Sequence, residues 1–255
     1  MLHVHSWGPP QAPVVLAVHG VTGHGGRWRE LAQTELAGAR VLAPDLRGHG
    51  RSPAEPPWSL ERHAADLLDV LEAEKVAQAV VLGHSFGGAV ALHLARAAPD
   101  RVRALVLLDP AIGIDVDDAL EAAQDSCTPT TWAQPGDATE SKAGDWPGVA
   151  RTLVEEEVAA HLARRADGRW AWRTCTPAVV SAWGEMAREP VLPPLGLRTL
   201  VVPAGQVQPP FLSVPFAAAL AAQEGVSVHP VDCGHMVGHL EPAAVGALVR
   251  GLLGS

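Results

Sequence analysis

Gly83-His84-Ser85-Phe86-Gly87 sets a serine between two glycines. It follows the apolar run Ala79-Val80-Val81-Leu82 and opens into Gly88-Ala89-Val90-Ala91-Leu92, which reads as a helix. A hydroxyl at such a strand-to-helix corner stands clear of the strand end, and the glycines let the two backbones close without a side chain between them. Ser85 is therefore the candidate nucleophile; the plainer alternative is a tight turn whose glycines serve packing alone. A serine hydroxyl is a weak nucleophile at neutral pH and needs a base beside it. Among twelve histidines, His235 in Asp232-Cys233-Gly234-His235-Met236 lies between the last expected strand and the last expected helix. That is where the order nucleophile, acid, histidine puts the base. His239 reads as a surface or cap-contact residue. Attack on a carbonyl creates an oxyanion that two preplaced amides can hold. Phe86 N–H, at a helix start, is one candidate, and Val21 N–H in His19-Gly20-Val21-Thr22-Gly23-His24-Gly25-Gly26 is the other. This glycine-rich stretch lacks the Lys-Ser/Thr ending of a phosphate-binding loop and the spacing of a dinucleotide fingerprint.

These residues need a sheet to carry them. Short β-branched runs predict strands at Val14–His19, Arg40–Asp45, Ala79–His84, Val102–Asp109, Arg198–Pro203 and Val226–Val231. Amphipathic segments between them predict helices from Ser59, whose side chain caps the first turn, over Gly87–Ala98, and over Glu241–Leu253. The alternation implies an α/β fold with a mostly parallel sheet flanked by helices. Between Pro110 and Leu197 the rhythm stops: helices are expected over Asp115–Gln124, Val149–Arg165 and Pro177–Arg188, together with Trp132, Trp146, Trp170, Trp172 and Trp183. The expected organisation is a core of residues 1–112 and 196–255 with a helical cap, 113–195, inserted before the last two strands. The cap tryptophans read mainly as its own small core, with enough apolar surface to favour an uncharged, hydrophobic substrate.

Composition narrows the chemistry. A chain of 255 residues buries roughly three quarters of its unfolded surface and needs no metal or disulfide to hold a core. Nineteen Lys and Arg against 28 Asp and Glu give a net charge of −9, which disfavours nucleic acid as a partner. Cys127, Cys175 and Cys233 fit neither a disulfide framework nor a zinc set. The amino terminus shows no export signal and no apolar run could span a membrane, so a cytoplasmic monomer or homodimer is expected. His19, His24, His84 and His235 lack a metal-site spacing with carboxylates, and neither metal nor cofactor is expected.

Four landmarks in order carry a resemblance: His19-Gly20-Val21, Pro44-Asp45-Leu46-Arg47-Gly48-His49-Gly50-Arg51-Ser52, Gly83-His84-Ser85-Phe86-Gly87-Gly88 and Gly234-His235. Over nearly its whole length the chain resembles the α/β-hydrolase fold superfamily. Leu105–Ile112 and Trp183-Gly184-Glu185-Met186 further resemble lipase-like carboxylesterases of actinobacteria. The resemblance implies ester hydrolysis through an acyl-enzyme, with a small-molecule ester as partner. It also exposes a departure. In most relatives the acid is an aspartate in the loop after the strand that follows the cap, but here Gln208 takes that place and no Asp or Glu occurs from Leu197 to Gln223. Asp109, ending the strand beside the elbow strand, is the expected substitute, as in some members of the superfamily. Its alternative role is a strand-ending turn before Pro110. Asp232 is a weaker candidate, and Asp45 reads as the structural partner of the Arg47–Ser52 loop. Carbon–carbon bond hydrolysis or lyase chemistry on the same scaffold, and a non-catalytic ligand sensor, are the other readings.

Overall fold

The computed structural model describes residues 1–254. In chain order its elements are β1 (Val4–Trp7), β2 (Val14–Val18), α1 (Arg29–Thr34), β3 (Arg40–Pro44), α2 (Leu60–Ala73), β4 (Ala79–His84), α3 (Phe86–Ala97) and β5 (Val102–Leu108). Then come α4 (Val116–Ser126), α5 (Pro135–Asp145), α6 (Arg151–His161), β6 (Leu162–Arg164), β7 (Trp170–Trp172) and α7 (Thr176–Met186). The chain closes with β8 (Thr199–Val202), α8 (Val214–Ala222), β9 (Val226–Val228), α9 (Val237–Leu240) and α10 (Pro242–Leu253). Seven strands form one sheet in the order β1-β3-β2-β4-β5-β8-β9. All its pairs are parallel except β1 with β3.

Alternation along each strand divides the core into two layers. Leu16, Val18, Val81, Leu105 and Leu107 face a layer built with α2, α3 and α8. Val15, Ala17, Val80, Leu82, Ala104, Val106 and Leu108 face the other, built with α1 and α10. Strand β4 lies in the middle, buried at every residue, which is why it reads as an unbroken apolar run. Its carboxyl end delivers Ser85, and those of β2 and β5 on either side deliver the Gly20 loop and Asp109.

The strands predicted from the sequence form at their expected places, Ala79–His84 with the expected bounds and the other five shortened by one to three residues. Other segments differ. The helix expected over Val149–Arg165 stops at His161, because Leu162–Arg164 pairs antiparallel with Trp170–Trp172. Asp167-Gly168 turns that hairpin with Gly168 at φ +84°, and Arg165 N–H closes onto Arg169 O at 2.7 Å. Strand β1, α1, α5 and α8 were not expected: β1 is a short half-buried edge strand, and α5 and α8 lack a strong apolar stripe. Among the described residues no helix is long and apolar enough to cross a membrane.

Leu105 is fully buried on β5 within the layer that supports α3. Leu105→Ala is expected to cost about 2–5 kcal/mol of unfolding free energy, read from urea denaturation, since the packed sheet cannot collapse into the void.

Candidate active site

Ser85 adopts φ +54° and ψ −124°, a strained conformation for a residue with a side chain, between the end of β4 and the first turn of α3. The glycines around it explain how the corner closes. A Cβ on Gly83 would lie 2.4 Å from Gly87 O, one on Gly87 2.3 Å from Val18 O, and one on Gly20 2.9 Å from the Ser85 Cβ. The Gly20 loop thus lies directly against the serine. Ser85 N–H donates to Leu108 O at 3.0 Å and Ala111 N–H donates to Ser85 O at 3.2 Å, tying the corner to both flanks of Asp109-Pro110.

Asp109 follows β5 at φ +36°, a region aspartate tolerates better than most residues. Its carboxylate is buried and used on both oxygens: Oδ1 accepts the Ala204 N–H at 3.0 Å, and Oδ2 bonds His235 Nδ1 at 2.6 Å. The loop after β8, which holds Gln208 and no carboxylate, supplies that amide. Asp232 lies elsewhere, its Oδ1 accepting from Gln206 Nε2 at 3.2 Å. His235 is 29% exposed at its side chain. It is braced by the Phe211 ring, 4.6 Å between centroids, and by His84, whose Nε2 donates to His235 O at 2.8 Å. Burial, with His235 nearby, pushes the His84 imidazole well below its ordinary range, so it stays a neutral donor.

The two candidate amides stand where the corner is most crowded. Phe86 N–H opens α3 and has no acceptor one turn back. Val21 N–H donates to no acceptor among the described residues, while Gly23 N–H closes the loop onto Gly20 O at 3.0 Å. His19 locks the loop from below: its Nδ1 donates to Gly20 O at 2.8 Å and its Nε2 accepts Leu46 N–H at 2.9 Å. Asp45 holds the other end through Gly25 N–H at 2.7 Å and also accepts Arg51 N–H at 2.8 Å. Burial pushes the Asp45 carboxyl up, but hydrogen bonds from His5, Arg51 and Gly25 outweigh it and hold it well below the usual range.

The segment between β5 and β8 contacts this loop. Glu157 on α6 is buried and accepts from Arg27 Nη2 at 2.6 Å and pairs with His24 Nε2 at 2.9 Å. His239 meets Trp146, 5.4 Å between ring centroids. Trp132 packs with Trp170 and Trp172, and Trp146 packs with Val154 and Met236. Two hollows reach neighbours of these residues, Phe211 in one and Thr22 in the other. A 520 Å³ cleft runs past Phe211, Trp183 and Gln208, and a 280 Å³ cavity lies under Thr22, Lys142 and Trp172. Phe211 and Lys142 escaped the sequence reading, since only the folded chain sets them beside the His235 and Val21 loops. His3, His5 and Asp45 bring ligand atoms within 4.8 Å of one another, away from the serine and with the Asp45 oxygens already engaged.

Residues 13–174 match the alpha/beta hydrolase fold family. The chain is 41% identical to Lipase LipV of Mycobacterium tuberculosis over 99% of this chain and 98% of that one. It is 36% identical to Esterase YbfF of Escherichia coli over 38% of each chain. The crystal structure of E-2-(acetamidomethylene)succinate hydrolase superposes with a TM-score of 0.87 at 19% identity, covering 100% of this chain and 95% of that one, a likeness of fold.

His63 on α2 sits edge-on to the Phe86 ring, 5.4 Å between centroids, and burial pushes its imidazole down to about 3. The unfolded imidazole takes its proton below about pH 6.5. Between pH 6.5 and 3 the unfolded state therefore binds the extra proton, and stability falls as the pH falls. His63→Leu is expected to remove about 1.4 kcal/mol per pH unit from that slope, measured by denaturant titrations across the window.

Proposed function

Because the chain belongs to the α/β-hydrolase family, with a lipase among its full-length relatives, we propose that it is a serine carboxylic-ester hydrolase working through an acyl-enzyme. The observation that carries this reading is the 2.6 Å bond between Asp109 Oδ2 and His235 Nδ1. It supplies a carboxylate to the histidine in a chain whose usual acid position holds Gln208. With Nδ1–H donated to Asp109, the free lone pair of His235 is on Nε2, the nitrogen left to take a proton from Ser85.

Ser85 Oγ attacks the ester carbonyl as its proton passes to His235 Nε2, and the Asp109 carboxylate stabilises the imidazolium. The carbonyl electron pair moves onto oxygen, which the Val21 and Phe86 amides hold, each donor worth roughly 3–4 kcal/mol in such sites. Collapse breaks the ester C–O bond, and His235 gives its proton to the departing alkoxide. Water then attacks the acyl-enzyme, losing a proton to His235, and a second collapse frees the acid and restores Ser85–OH. Residues 113–195 act as the cap: they close over the oxyanion loop through Glu157, Arg27 and His24, and they limit water at the reacting carbonyl. The alcohol must leave beside the proton donor, so the cleft past Phe211, with its Trp183 and Leu212 walls, receives the apolar alcohol portion of the ester.

Ser85→Ala is expected to abolish turnover of short-chain aryl esters and to block stoichiometric labelling by a serine-directed phosphonate. Asp109→Asn, folded and still able to present His235, is expected to lower kcat on the order of 10⁴-fold by favouring the wrong tautomer. A loss below about tenfold in a folded Asp109→Asn variant excludes Asp109 as the acid.

A further inference from the structure

The second hollow carries more information than its size. It meets the oxyanion loop at Thr22, next to Val21, and extends beneath α5 and the β6–β7 hairpin. With the alcohol assigned to the Phe211 cleft, this 280 Å³ cavity is left for the acyl chain, at the small end of ligand sites. Its inner wall holds a cation. Lys142 is only 8% exposed at its side chain, and its Nζ lies 5.2 Å from the Trp146 ring centroid and 4.8 Å from that of Trp172.

A buried ammonium carries three donors and needs acceptors or a counter-charge. Among the described residues the carboxylate within 4 Å of it is Asp145, at 3.7 Å, longer than a hydrogen bond and 63% exposed. Glu157 is the buried carboxylate nearby, but its two oxygens already serve Arg27 and His24. Arg27 itself lies 4.9 Å over Trp146 and is held by Glu157, outside the lining of the cavity. Asp125, Asp145 and Arg165 line the cavity from exposed positions, and Arg165 pairs with Asp167 at 3.5 Å. Lys142 is therefore the buried charge of the cavity wall, and the other charged groups of its lining stand exposed. Burial pushes the Lys142 ammonium down, and Arg27 pushes it further, against the pull of Glu157. An anion inside the cavity would relieve both effects.

We propose that the acyl portion of the substrate ends in a carboxylate that pairs with Lys142, making the preferred substrates monoesters of short dicarboxylic acids. This rests on the ester-hydrolase reading of Ser85 and refines it, replacing the uncharged acyl chain expected from the tryptophan content. Hydrolysis of such a monoester consumes one water and yields the free dicarboxylate and an alcohol. Trp146 and Trp172 hold the ammonium by its cation–π contacts, and a carboxylate entering past Thr22 supplies the acceptor that the protein leaves out.

The test compares phenyl monoesters of succinic, glutaric and adipic acids with phenyl pentanoate, hexanoate and heptanoate, corrected for spontaneous hydrolysis. At least one monoester is expected to exceed its length-matched neutral ester in kcat/KM by about 10- to 100-fold, the worth of a hydrogen bond to a charged group. In Lys142→Met that ratio is expected to fall to about one or below, and Lys142→Arg is expected to recover part of it. Wild-type ratios of about one or less for all three pairs overturn the proposal without recourse to any variant, and neutral-ester turnover then leaves the ester-hydrolase reading standing. A ratio unchanged in a folded Lys142→Met also overturns it. Absence of turnover for all six esters overturns the ester-hydrolase reading itself.

Discussion

The short contact between a buried carboxylate and an imidazole organises this site. Asp109 is 3% exposed, and a lone charge at that depth would be costly, yet both its oxygens are occupied by an amide and a ring nitrogen. Those two partners come from loops after β8 and β9, far apart in sequence. One aspartate thus fixes the histidine tautomer and ties together the edges of the sheet that meet beside Ser85. The loop after β8 contributes an amide to that carboxylate rather than a carboxylate of its own.

The rest of the molecule serves to hold strained backbone in place. Ser85 and Asp109 both lie at positive φ, and each follows a central strand whose last five residues are buried. Such conformations persist when the surrounding packing over-determines them. Here that support comes from glycines admitting backbone contacts, from His19 bonded on both ring nitrogens, and from Asp45 gripping both the Gly20–Gly25 loop and the Arg51 turn. Buried neutral histidines at His19, His63 and His84 are compatible with neutral pH and become a liability in acid.

Much of this was legible in the residues. The elbow, the glycine-rich loop and His235 are local signals, each a residue type in a strand or turn context, and the central strands announce themselves as apolar runs. The empty loop around Gln208 pointed to Asp109 by elimination as well as by position. The segment between β5 and β8 was legible as an interruption of the alternation but not in detail. Its α5 has weak amphipathicity, and the β6–β7 hairpin hides behind helix-forming residues until Asp167-Gly168 turns the chain. Lys142 and Phe211 gave no local signal, because what defines them is the tryptophan pair and the imidazole that tertiary packing sets beside them.

The coupling of His235 to Asp109 is most directly read from the proton on His235 Nδ1. By proton NMR in water, the wild-type protein is predicted to show a far-downfield Nδ1–H resonance that persists in Asp232→Asn and is absent in Asp109→Asn. Its persistence in a folded Asp109→Asn variant, or its loss in Asp232→Asn alone, would contradict the account.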